Sequence, residues 1–173
     1  MMRILLLSDS HGAFPQKLES HFTQADEIWH AGDVGPIAGL DYLKTFKPIR
    51  AVFGNIDGRE IRQQCPEYLC FKLEGLSFFL MHIVGRPGKY TARALQLVQQ
   101  HKPNVLMCGH SHIALVSPGI FPGSLHLNPG AIGNQGWHKS ITALRFQVEK
   151  KRIFNMDLID LGPRGQAQPM HFF

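Results

Sequence analysis

Several apolar runs in this chain stop at side chains that can donate oxygen or nitrogen to a cation, and that repeated ending constrains the fold more than any other feature. Arg3 to Ser8 runs into Asp9 and His11, Glu27 to His30 into Gly32-Asp33, and Ile49 to Phe53 into Gly54-Asn55-Ile56-Asp57. Leu76 to Met81 ends at His82, and Val105 to Cys108 at Gly109-His110, with His112 following. Short continuous apolar runs read as strands buried on both faces. In an open α/β sheet the carboxyl ends of the strands form the rim where ligands bind, so these residues are expected to converge on one crevice.

The first half alternates strand and helix. Pro15 opens a helix over Gln16 to Gln24, and Gly39 to Phe46 forms another, stopped by Lys47-Pro48. Such alternation argues for right-handed βαβ units and a parallel sheet. In the second half, Leu69 to Leu73 and Leu76 to Met81 read as a hairpin, and Tyr90 to Gln100 as a helix. Ala114 to Ser117, Ser124 to Leu127, Ile141 to Val148 and Arg152 to Leu158 read as a meander of antiparallel strands. An α/β fold of two packed, mostly mixed sheets with helices outside accommodates both halves. At 173 residues one domain is expected, over 1–161, with a loosely held tail over 162–173 that is rich in Gly, Pro and Gln.

Composition narrows the setting. No segment approaches a membrane span, and Ile4 to Leu7 is too short for a signal-peptide core. Three Cys (65, 70, 108) without a C-x-x-C pair read as reduced thiols, which places the chain in the cytoplasm. Eighteen Lys plus Arg against thirteen Asp plus Glu give +5, a charge that suits an anionic partner and permits nucleic acid without implying it.

Carboxylates at the ends of neighbouring buried strands repel one another, and a multivalent cation removes that cost. Two carboxylates (Asp9, Asp33), one amide (Asn55) and four imidazoles (His11, His82, His110, His112) form a mixed N/O set. Such a set suits manganese first, with iron, zinc, cobalt or nickel as alternatives, and suits calcium or magnesium poorly. Seven candidates are too many for one tetrahedral ion and about right for two divalent ions. Two such ions carry +4 against −2 from Asp9 and Asp33, and the remaining charge suits a bridging hydroxide and a phosphate group. Asp57 reads as a turn or supporting carboxylate.

In order and spacing, Asp9-Ser10-His11, Gly32-Asp33, Gly54-Asn55-Ile56-Asp57, His82 and Gly109-His110-Ser111-His112 resemble the five blocks of the calcineurin-like metallophosphoesterases. Chain length, the early first block and Asn128-Pro129-Gly130 resemble the small YfcE-type bacterial phosphodiesterases and their relative, the retromer scaffold subunit. The resemblance implies a four-layer αββα sandwich. It also implies that Asp9, His11 and His112 bind one metal, that Asn55, His82 and His110 bind the other, and that Asp33 bridges them. Attack on phosphorus by a metal-activated hydroxide would follow, with the Asn55 NH₂ orienting a phosphate oxygen.

Two positions depart from the family pattern. Ile56 stands where many members carry a His that serves the leaving group, and Ile83 follows His82 where Gly is usual. The reading is a phosphoesterase, most simply a phosphodiesterase, acting on a small phosphorylated substrate. The alternative is a catalytically weak scaffold of the same fold that binds protein, and a homo-oligomer is compatible with either. His30 and His126 read equally as supports of the site or as buried structural residues. His21, His101, His138 and His171 read as surface residues, and Arg59, Arg86 and Lys89 as solvated loop charges.

Overall fold

The computed structural model describes residues 1–165. Its first elements are β1 (Met2–Leu7), a 3-10 turn (Gln16–Leu18), α1 (Glu19–Gln24), β2 (Glu27–His30), α2 (Ile37–Phe46), β3 (Ile49–Ala51) and α3 (Arg59–Gln64). There follow β4 (Tyr68–Leu73), β5 (Leu76–Met81), β6 (Gly85–Arg86), β7 (Lys89–Tyr90), α4 (Ala92–His101) and β8 (Val105–Met107). The chain continues through β9 (Ala114–Pro118), β10 (Leu125–Pro129), β11 (Ser140–Glu149) and β12 (Arg152–Pro163). Among the described residues no helix is long and apolar enough to cross a membrane.

The strands form two five-stranded mixed sheets, β12-β11-β1-β2-β3 and β4-β5-β8-β10-β9, beside the small β6-β7 hairpin. β1, β2 and β3 are parallel, as strand-helix alternation requires. The expected antiparallel meander is instead divided between the sheets. β10 runs parallel to β8 and antiparallel to β9, while β11 crosses to pair with β1, Met2 opposite Val148 and Leu6 opposite Leu144. Apolar periodicity records that a strand is buried, and it does not record which neighbour buries it.

Alternation along each strand builds the layers. Ile4 and Leu6 of β1 enter the core between the sheets with Trp29, Phe78, Leu80, Met107 and Phe146. Leu5 and Leu7 point the other way, against Phe22 of α1 and Leu43 of α2. On the far side, Phe79, Met81 and Leu106 pack on Ala94, Leu97 and Val98 of α4. The result is the expected αββα sandwich. Trp29 anchors its centre, meeting Phe71 and Phe78 edge-on at 5.0 Å and Phe146 at 5.7 Å. Aromatic pairs of this geometry contribute about 1 kcal/mol each beyond their burial.

Gly162 and Pro163 complete β12, and the Arg164 N–H donates to the Lys139 carbonyl at 2.9 Å. The rest of the expected tail, 166–173, lies outside the described residues, as does His171.

Candidate metal centre

The loops after β1, β2, β5 and β8 are tied to one another before any side chain is considered. Asp9 N–H donates to Gly32 O at 3.0 Å, His11 N–H to Asp33 O at 3.0 Å, and Gly109 N–H to His82 O at 3.1 Å. The backbone turns sharply there. Asp9, His11, Asp33, His110 and His112 all have positive φ, between 48° and 68°. That region costs a non-glycine residue about 1 kcal/mol or more, although Asp and His enter it more readily than most. Five such residues in one crevice mark a place where folding has been overruled by another requirement.

The glycines of the motif blocks have a steric cause. A Cβ at Gly32 would meet the His82 ring, one at Gly54 the Asp33 carboxylate, and one at Gly109 the side chains of Ser8 and Asp9. Glycine lets the strand ends approach closely enough for their side chains to share one volume.

Two donor groups result, Asp9–His11–His112 and Asp9–Asp33–His82, each with ligand atoms within 4.8 Å of one another. Asp9 belongs to both. Asp33 also spans them, presenting Oδ1 to His82 Nε2 at 3.3 Å and Oδ2 to His11 Nε2 at 3.7 Å. His112 Nε2 is 3.1 Å from Asp9 Oδ1, and Asn55 Oδ1 is 3.1 Å from His82 Nε2. Atoms that ligate one ion at about 2.1 Å lie about 3.0–3.4 Å apart, so these separations suit shared coordination. His110 is placed differently. Its exposed ring meets His82 edge-on at 5.3 Å, at the rim and outside both groups.

The residues present fit a metal. Asp9 Oδ1 and His11 Nε2 are buried and lack a hydrogen-bond partner. Asp9 Oδ1 is near His112 Nε2 but not in line for a hydrogen bond, and a buried carboxylate oxygen left so is costly. His82 Nδ1 lies 2.7 Å from the Ala31 carbonyl, which can only accept, so Nδ1 carries the proton and Nε2 turns its lone pair inward when the ring is neutral.

A second relay sits behind His112. His138 Nε2 donates to the Gly133 carbonyl at 3.0 Å, which leaves His138 Nδ1 as an acceptor 3.2 Å from His112 Nδ1. The Gln135 carbonyl also holds His112. The contact with His138 keeps the His112 proton on Nδ1 and frees Nε2 for the centre. The sequence pattern places His138 at the surface, whereas the structure buries it at 9% exposure. No motif spacing announces it, because it reaches His112 through the loop before β11.

Electrostatics follow from the same contacts. Burial pushes the Asp9 and Asp33 carboxyls up, but His112, His82 and Ser8 together hold Asp9 below the usual range, and His82, the Ile56 N–H and His11 together do the same for Asp33. Burial pulls His82 down, yet Asp33 and Asp9 raise it above an ordinary imidazole. The nearby Asp9 carboxylate raises His112, whereas burial lowers His11 and His110.

Asp57 supports the scaffold. Its carboxylate accepts from Val34 N–H at 3.2 Å, Gly35 N–H at 2.8 Å and Gly54 N–H at 2.7 Å, joining the loops that carry Asp33 and Asn55. His30 is fully buried, accepts from Gly32 N–H at Nδ1 and contacts Ser10 Oγ at 3.0 Å. Ile56, beside Asn55, is 47% exposed.

Residues 2–151 match the model of the calcineurin-like phosphoesterase superfamily domain. "Probable metallophosphoesterase MG207" of Mycoplasma genitalium is 33% identical over 140 residues, 73% of this chain and 79% of that protein. Vps29 of Entamoeba histolytica complexed with zinc superposes with a TM-score of 0.71 at 18% identity, covering 92% of this chain and 99% of its own. A novel archaeal phosphodiesterase superposes with a TM-score of 0.68 at 19% identity, covering 92% and 100%. At those identities the two superpositions speak for the fold.

Proposed function

The chain belongs to the calcineurin-like phosphoesterase superfamily, and from that membership we propose that it is a dinuclear metal-dependent phosphodiesterase of the small YfcE-type branch. The observation that carries this reading is the junction of two donor groups at Asp9, with Asp33 reaching from one toward His11 of the other and with Asp9 Oδ1 and His11 Nε2 buried and unpartnered. Asp9, His11 and His112 would hold one ion, and Asn55, His82 and His110 the other, with Asp33 between them. Manganese suits this N/O set best.

When bound, the ions supply a nucleophile, by lowering the pKa of water, and positive charge for the phosphate oxygens. The protein's own part is positional. The relays from Ala31 to His82 and from Gly133 through His138 to His112 fix which ring nitrogen faces inward. Asn55 turns Oδ1 toward the centre and leaves its NH₂ to orient a phosphate oxygen. Ile56 offers no proton to a leaving group, so substrates whose alcohol departs as a stable anion are favoured. Three free cysteines suit the reducing cytoplasm, where we place the protein.

The exposed apolar Ile56 at the mouth also favours a second reading, a catalytically weak scaffold that docks protein there. Metal analysis after manganese loading, followed by hydrolysis of bis(4-nitrophenyl) phosphate with and without Mn²⁺, separates the two. Two ions per chain with Mn²⁺-dependent turnover support the hydrolase. Fewer than one ion and no turnover support the scaffold. Asp33→Asn should abolish turnover with the circular dichroism spectrum unchanged; undiminished turnover would remove Asp33 from the centre.

A further inference from the structure

A cavity of about 550 Å³ opens beside the centre and shares His110 with it. Its floor is polar but satisfied. His126 contacts Tyr90 Oη and Cys108 Sγ at 3.2 Å each, and the Asn128 amide donates to the Gly109 carbonyl at 2.8 Å. One wall is apolar, formed by Ile113 and Leu115, and Ile113 is 67% exposed. The β6-β7 hairpin also lines it and brings Arg86 and Lys89 to the cavity.

That hairpin is built against its own charges. Pro87-Gly88 forms the turn, with Gly88 at φ 80°, and places Arg86 directly opposite Lys89. Like charges facing each other across strands are destabilising, and a lone two-stranded ribbon has little stability to spare. Neither residue pairs with a carboxylate among the described residues, although five other Arg and Lys side chains there do. The hairpin is held in place by Thr91 N–H donating to Val84 O at 2.9 Å and by Tyr90 stacked on His126 at 5.6 Å. Two exposed cations paired across a hairpin, in the lining of a cavity that includes His110, can receive an anion.

We propose that Arg86 and Lys89 bind a second anionic group of the substrate, carried on an arm whose apolar part lies over Ile113 and Leu115. The substrate class is then a phosphodiester that bears a further phosphate or carboxylate beyond an apolar spacer. This rests on the phosphodiesterase reading, because the cavity matters as the place of a substrate arm only if the centre holds the scissile phosphate.

The test is calorimetric titration of the manganese-loaded full chain with phenylphosphonate, 4-carboxyphenylphosphonate and 1,4-phenylenediphosphonate, none of which needs turnover. At least one anion-tailed ligand should bind about fivefold or more tighter than phenylphosphonate, and the preferred one distinguishes carboxylate from phosphate. The Arg86→Gln/Lys89→Gln variant should lose that gain while binding phenylphosphonate unchanged. Lys150→Gln/Lys151→Gln, which removes the same charge at the β11-β12 turn, should keep it. Equal affinity for all three ligands, or a gain that survives Arg86→Gln/Lys89→Gln, overturns the subsite. Turnover of bis(4-nitrophenyl) phosphate is scored separately: tail preference without turnover leaves Arg86 and Lys89 as an anion site but removes the hydrolase and the substrate assignment with it, and turnover without preference overturns the subsite alone.

Discussion

His112 Nδ1 stands 3.2 Å from His138 Nδ1, across 26 residues of chain, and the Gly133 carbonyl fixes the far side of His138. His138→Ala removes the acceptor behind a candidate ligand while leaving the ligand itself. Manganese affinity should fall about tenfold or more, with the fold retained. His138→Asn, which keeps an acceptor near that position, should recover part of the loss. Calorimetric Mn²⁺ titration of both variants reads this out, and unchanged affinity in His138→Ala would make His138 a bystander.

Asp57 is predicted to be a stability residue. Replacing it by Ala strips the acceptor from the N–H groups of Val34, Gly35 and Gly54. Buried donors left unpaired cost about 1–3 kcal/mol each, so the melting temperature should drop by roughly 10 °C. Asp57→Asn, which still accepts through its carbonyl oxygen, should lose less.

Glycine at 54 is predicted to be indispensable to the centre. In Gly54→Ala the new Cβ meets the Asp33 carboxylate and its backbone nitrogen, whereas at Gly58 nothing lies within 4 Å. Metal analysis should therefore find Gly54→Ala depleted of bound manganese and Gly58→Ala indistinguishable from the parent.

Leaving-group dependence should be steep. Ile56 cannot donate a proton, so log kcat/KM across a series of substituted aryl phosphodiesters should fall sharply as the phenol pKa rises. Installing a donor with Ile56→His should flatten that slope and raise the rate on the poorest leaving group by about 10- to 100-fold. A flat slope in the parent would mean that another group supplies the proton.

Acid should destabilise the fold already between pH 6.5 and about 4, through two buried histidines. Burial pulls His30 and His126 down to about 4 from 6.5. Above 6.5 both are neutral in folded and unfolded chains, so their contribution is complete. Between 6.5 and about 4 only the unfolded chain takes up these protons, and stability falls by on the order of 3 kcal/mol per histidine by the lower limit. Asp26, held to about 2 by Arg3, loses its stabilising pairing only as the pH drops from 3.8 through 2. Melting temperatures from pH 7 to 4.5 should decline, and less steeply in His126→Gln.

The five blocks were legible because each is local: an apolar strand, a glycine that lets the next backbone approach, and a ligand-type side chain at the strand end. Asp9, Asp33 and His82 needed no neighbour to be noticed, only a buried strand before them. His138 and the Arg86–Lys89 pair were not legible. Their meaning depends on what stands opposite, the ring of His112 in one case and a cavity wall in the other. The sheet assignment of β11 was hidden for the same reason, since Ile141 to Val148 is apolar in either sheet.

By itself, then, the sequence determined which segments are buried strands and that they end on side chains of the kind that ligate metals. Those properties are written in consecutive residues and their periodicity. Tertiary structure alone decided that Asp9 is common to both donor groups, that His110 sits at the rim, and that His138 backs His112. Distances of 3 to 4 Å between residues dozens of positions apart arise from how two sheets close on each other, and no local pattern encodes that closure.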